Sequence, residues 1–139
     1  MRKDERPVWN PAAGSSVGRL KRRADFLRVA AVRRKWAAPG LILQVAPQPE
    51  PVTEDLPVES IRVGFTASRK VGNAVKRNRA RRRLKALVRE MIATGANPGL
   101  DLVLIARPAT VDRPFDELRR DLQQSLQRTK AARKSRDIH

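Results

Sequence analysis

The chain has 139 residues, 31 of them Lys or Arg against 14 Asp or Glu, for a net charge of +17, and it contains no cysteine. One domain of ordinary size fits this length. The missing Cys excludes a disulfide framework, a thiolate zinc site and a thiol nucleophile, and the lone imidazole, His139, argues against histidine acid–base chemistry.

Residues 1–18 carry Pro7, Pro11, Gly14 and Gly18 without apolar periodicity and read as a flexible arm. A helix is expected over Arg23–Arg34, with Asp25 in its first turn and Phe26, Val29 and Ala30 at helical spacing. Pro39-Gly40 breaks the chain, and Leu41–Ala46 reads as a strand. Pro47–Ser60 holds four prolines and four of the carboxylates, so it reads as an acidic loop. The acidic loop region has room for a further short strand.

Ile61–Ala67 alternates, with Ile61, Val63, Phe65 and Ala67 on one face, as in a half-buried strand. Phe65 therefore reads as core. Asn73 is suited to cap a helix running to about Ile92, which Thr94–Gly99 ends. Asp101–Ala106 is almost continuously apolar and reads as a strand covered on both faces. Asp112 is expected to cap a last helix with Phe115, Leu118, Leu122 and Leu126 along its apolar stripe. Lys130–His139 reads as a basic tail. The expected fold is α+β, in the order α-β-β-α-β-α, with one domain over residues 19–129.

No apolar run approaches the ~20 residues of a membrane span, and no apolar segment follows the basic N-terminus as a secretory signal requires. The expected location is the cytoplasm. The charge calls for a polyanion, and nucleic acid suits it better than an anionic membrane.

Between Ile61 and Glu90 lie eleven cations and one carboxylate, a net +10. On a helical wheel Ala80, Leu84, Leu87, Val88 and Met91 share an apolar face. Asn78, Arg82, Lys85 and Arg89 project at roughly 100–160° from Leu84, with Arg79 just beyond. Like charges three and four residues apart repel, whereas a row of phosphates reverses the sign of that term. Gly64 and Gly72 are read as points of close backbone approach. Glu90 is the only carboxylate in the segment, so no catalytic residue and no metal ligand is assigned.

The run from Arg62 to Leu84, and above all Lys70-Val71-Gly72-Asn73-Ala74-Val75 followed by Arg77-Asn78-Arg79, resembles the signature of the protein subunit of bacterial ribonuclease P. The resemblance extends to Arg19–Phe26, Asp101–Pro108 and the last helix. It implies a ribosomal-protein-like α+β fold with a left-handed βαβ crossover. It also implies a partnership with a catalytic RNA subunit that removes the 5′ leader from precursor tRNA. Catalysis would lie in the RNA, with Mg2+ in the RNA–protein holoenzyme and no small-molecule substrate.

The residues implied to bind RNA are Arg69, Lys70, Asn73, Lys76, Arg77, Asn78, Arg79, Arg81, Arg82, Lys85 and Arg89. A cleft between the first helix and the sheet would take the leader, through Phe26, Arg62 and Gln44. Ala30 and Gln44 stand where such proteins often carry an aromatic, and Trp36 is the candidate substitute. The alternatives are a ribosomal or other structural RNA-binding protein and a nuclease acting without RNA.

Overall fold

Period-two alternation sorts the strand side chains onto two faces. In β3 (Leu41–Pro47) Leu41, Leu43 and Val45 are buried on one face, while Ile42, Gln44 and Ala46 take the other. β4 (Ile61–Thr66) and β5 (Leu100–Ala106) repeat the pattern, with Val63 beside Leu102 and Phe65 beside Leu104. The computed structural model describes residues 16–49 and 60–133. The acidic segment 50–59, most of the N-terminal arm and residues 134–139 lie outside them.

Two further strands complete the sheet, β1 (Val17–Arg19) and β2 (Arg34–Ala37), in the order β1-β4-β5-β3-β2. β1 and β4, and β4 and β5, are parallel, while β3 is antiparallel to β5 and β2 to β3. Three helices cover the faces: α1 (Arg23–Val32) on one side, α2 (Ala74–Gly95) and α3 (Phe115–Arg128) on the other. The parallel pair β4–β5 is joined through α2.

The main core lies between the sheet and the α2–α3 layer. Leu84, Leu87 and Ile92 of α2 and Leu118 and Leu122 of α3 are fully buried there against Leu43, Ile61, Leu102 and Leu104. Each such side chain contributes about 1.5–3 kcal/mol by leaving water. A smaller core under α1 joins Leu20, Val29, Ala46 and Val103, with Phe26 and Ile105 packed against it.

The α+β class holds, and the structure corrects several details of the expected order. Val17 and Gly18 are strand rather than arm, since Val17 pairs with Ile61 and Gly18 with Arg62. Two extra strands precede and follow α1 in the chain, and the expectation of one in the acidic loop falls on residues outside those described. β2 escapes sequence reading because Arg-Lys-Trp-Ala is a short edge strand with one covered face.

Trp36 is therefore not in a loop. It pairs with Leu43 on the α3 side, and the Arg128 guanidinium lies 5.0 Å from its ring centroid. Asp112 does not cap α3. It closes a 3₁₀ turn, Pro108–Val111, and Pro114 stands at the N-cap of α3.

The first residues of the expected tail are part of the fold. Ala131 is fully buried, its carbonyl accepts from Asn97 N (2.8 Å), and Arg133 N donates to Gly95 O (2.8 Å).

Candidate nucleic-acid interface

The entry into α2 is built by short polar residues and one glycine. Ser68 Oγ accepts from Lys70 N (3.3 Å) and closes a 3₁₀ turn over Arg69–Val71. Gly72 follows at φ 140°, a conformation that disfavours a side chain, and a Cβ there would stand 2.8 Å from Lys76 Cδ. Asn73 Oδ1 then accepts from Lys76 N at 2.9 Å, the expected N-cap. This geometry delivers a basic loop directly into a basic helix, with Arg69, Lys70, Asn73 and Lys76 exposed.

Along α2 the apolar face goes where the wheel puts it, with Ala80, Leu84, Leu87, Val88 and Ile92 buried and Met91 packed at the edge. Arg82 and Arg89 are exposed, and Arg77, Arg81 and Lys85 are half-buried along the flanks. Arg81 Nη2 donates to Asn78 Oδ1 (2.7 Å), which leaves the Asn78 amide protons available. Among the described residues, none of Arg69, Lys70, Lys76, Arg77, Arg81, Arg82, Lys85 and Arg89 forms an ion pair with a carboxylate.

Two cations of this helix are engaged by the fold. Arg79 Nε donates to Val111 O (2.9 Å) and lies 3.9 Å from Asp112 Oδ1. Arg79 is thus anchored rather than a free member of the exposed row. Arg83 donates to Thr110 O (2.7 Å), Val111 O (3.1 Å) and Arg113 O (2.6 Å). These carbonyls lie in and just after the 3₁₀ turn, and Val111 O is shared with Arg79. Burial, followed by repulsion from Arg79, lowers the Arg83 pKa.

The opposite face of the sheet carries Phe26, Arg62 and Gln44. Gly64 is not an open point of approach. A Cβ there would meet Phe26 Cε1 and Cζ at 2.6 Å and Leu20 Cβ at 3.2 Å, so the Phe26 ring sits on the bare backbone. Gln44 is half-buried, paired in register with Lys35 and Val103. Trp36, on the other face, cannot replace an aromatic in this cleft, and Ala30 is exposed on α1.

Arg62 is tied to Asp101, which it grips through Nε (2.9 Å) and Nη2 (2.7 Å). Arg28 pairs with the same buried carboxylate. The Asp101 hydrogen bond raises the Arg62 pKa. Sequence reading missed this trio, although a carboxylate heading a strand covered on both faces was the available signal.

Every carboxylate among the described residues is ion-paired with an arginine: Asp25 and Asp101 with Arg28, Asp112 with Arg79, Glu117 and Asp121 with Arg113, and Glu90 and Asp116 with Arg119. No three His, Cys, Asp or Glu among them cluster to hold a metal ion. Apart from the exposed Asp112, 3.9 Å from Arg79, these carboxylates lie within 3.4 Å of a guanidinium nitrogen.

An α+β sheet with a helix whose row of cations has no carboxylate partner among the described residues defines a polyanion-binding protein. The chain matches the model of the Ribonuclease P family over residues 16–130. It is 56% identical over 119 residues to the ribonuclease P protein component of Paramagnetospirillum magneticum, covering 86% of this chain and 87% of that one. Identity to the component of Ruegeria pomeroyi is 42% over 126 residues, 90% of this chain and 96% of the other.

The fold is similar to that of an RNase P protein mutant from Staphylococcus aureus (TM-score 0.66, 25% identity, 81% and 88% of the two chains). It is also similar to the RNase P protein of Thermotoga maritima (TM-score 0.61, 22% identity, 76% and 92%). The chain belongs to the bacterial ribonuclease P protein family. It is the RNA-binding protein component of the endoribonuclease that matures tRNA 5′ ends, and its partner is the RNA subunit.

Proposed function

We propose that the chain binds its RNA subunit along the 3₁₀ turn and outer face of α2, and the leader of precursor tRNA through the cleft beside α1. The observation that carries this reading is the division of cations. Arg28, Arg62, Arg79, Arg113 and Arg119 neutralise the described carboxylates, while the loop and α2 row keeps its charge for phosphate. Guanidinium groups donate two parallel bonds to phosphate oxygens, and Asn78 offers amide protons to a base edge or ribose hydroxyl.

In the α1 cleft, Arg62 and Arg28 face the leader with one carboxylate holding both heads, so little side-chain freedom is lost on binding. Phe26, half-buried with one ring edge seated on Gly64, offers the rest of its ring, and half-buried Gln44 an amide. The chain's donors do not suit Mg2+, because each described carboxylate is ion-paired. The hydrolytic metal ions belong to the RNA, and the protein's cations reduce phosphate repulsion around them. The reaction takes place in the cytoplasm. Among the described residues no helix is long and apolar enough to cross a membrane.

The test combines the purified chain with a bacterial ribonuclease P RNA and precursor tRNA at low magnesium. Stimulated cleavage at the mature 5′ end is the expected result. Cleavage by the RNA-free protein would overturn this division of labour.

A further inference from the structure

A groove of about 340 Å3 opens between the edge strand β1, strand β4 and helix α2. Its size is within the roughly 300–1,000 Å3 of small-ligand sites. Its lining combines two chemistries. Val63, Phe65 and Val88 are apolar, and Arg19, Lys85 and Arg89 are cationic. The Arg19 guanidinium carbon lies 5.8 Å and Lys85 Nζ 6.0 Å from the Phe65 ring centroid. None of the three cations is paired with a carboxylate among the described residues.

A phosphate backbone alone would use the cations and leave the apolar wall unused. A flat, apolar-faced ring attached to a phosphate uses both. Among the described residues β1 ends the sheet, so the backbone groups on its outer side have no strand partner there and can meet polar ring edges. Val63 and Phe65 face α2, whereas Arg62 and Gly64 of the same strand face α1, so the sheet separates this groove from the Phe26–Gln44 cleft. Lys85 and Arg89 belong to the cationic row of α2 as well. The occupant is then part of whatever RNA lies on that row.

We infer that this groove seats one unpaired nucleotide of the RNA bound along α2, the base against Phe65 and Val88 and its phosphate among Arg19, Lys85 and Arg89. The inference rests on the RNA-binding reading of α2 and adds a base-recognising pocket to it.

The experiment uses the full chain and two single-stranded RNA hexamers, one with adenine at every position and one abasic at every position. Binding affinity is measured alongside NMR shifts of the Val63 and Val88 methyl groups and the Phe65 ring. The adenine hexamer is expected to bind about tenfold more tightly, the effect of stacking a single base, and to shift these signals. Ala93→Phe, which takes up groove volume, and Phe65→Leu, which removes the aromatic platform but keeps an apolar side chain, are each expected to erase most of that preference, whereas Arg19→Gln is expected to weaken both hexamers alike. Phe65→Leu keeps the test valid should Ala93→Phe fail to fold.

Equal affinity for the two hexamers, or a preference that survives both Ala93→Phe and Phe65→Leu, would overturn the base seat while leaving RNA binding along α2 intact. Equal shifts on adding a polyglutamate peptide or phosphatidylglycerol vesicles would overturn it as well. Failure of the chain to bind either hexamer and a ribonuclease P RNA would remove the RNA-binding reading itself.

Discussion

Arg62 holds Asp101 by both carboxylate oxygens, at 2.9 and 2.7 Å, across the neighbouring strands β4 and β5. Asp101 is fully buried and also pairs with Arg28, so one carboxylate ties β4, β5 and α1 together. The two residues are register partners in the parallel ladder, which places their side chains on the same face.

Asp101→Ala leaves two guanidinium groups on one face without their shared counter-charge. Removing one member of a buried pair costs about 3–5 kcal/mol, and partial exposure of both arginines brings the expected loss to about 2–3 kcal/mol. Urea denaturation measures it. A loss below about 0.5 kcal/mol would show that the trio is not a structural tie.

Gly64→Ala drives a methyl group into the Phe26 ring, since the two would lie 2.6 Å apart. Overpacking of this kind costs about 1–3 kcal/mol. Phe26→Leu in the Gly64→Ala background should recover part of it, because the ring is what the methyl group meets. Additive losses in the double mutant would indicate that the two sites do not touch.

Replacing Arg82, Lys85 and Arg89 together by Ala should weaken binding to the RNA subunit. It should also flatten the plot of log affinity against log salt by about 2–3, one lost counterion per phosphate contact. An unchanged slope would mark the row as a solvated face.

Arg83→Ala should behave differently from those three. Its donors satisfy Thr110, Val111 and Arg113 carbonyls, so the change is expected to lower stability by about 1–3 kcal/mol. The salt slope should move by well under one unit. Thermal melting and the salt titration, run on the same protein, separate the two effects.

Truncation after Lys130 removes buried Ala131 and the backbone bonds Asn97 N to Ala131 O and Arg133 N to Gly95 O. A loss of about 1–3 kcal/mol is expected from the lost bonds. Deletion through Arg19 should also destabilise, because it uncovers the edge of β4 that β1 pairs. A melting temperature unchanged by either truncation would contradict these pairings.

Much of this was legible in the chain itself. Asn73 as the N-cap of α2 and the buried row from Ala80 to Val88 follow from local chemistry and the 3.6-residue period. So does the alternation along β4, while the basic run from Arg69 to Arg89 marks the candidate interface.

Other features depended on partners distant in sequence. β1 and β2 are strands because β4 and β3 supply their hydrogen bonds, and neither segment carries a period of its own. Arg79 and Arg83 look like their neighbours in the sequence, but the 3₁₀ turn at Pro108–Val111 takes up their donors. Phe65 was legible as core, yet its place beside Arg19 and Lys85 in the groove arises only when β1 pairs with β4 alongside α2.

The sequence by itself determined the sign of the partner's charge, the helix that meets it and the apolar faces that form the core, because charge, capping and periodicity are local properties. The tertiary structure decided which cations stay free and which are engaged, because an arginine's fate depends on carboxylates and carbonyls brought to it from elsewhere in the chain.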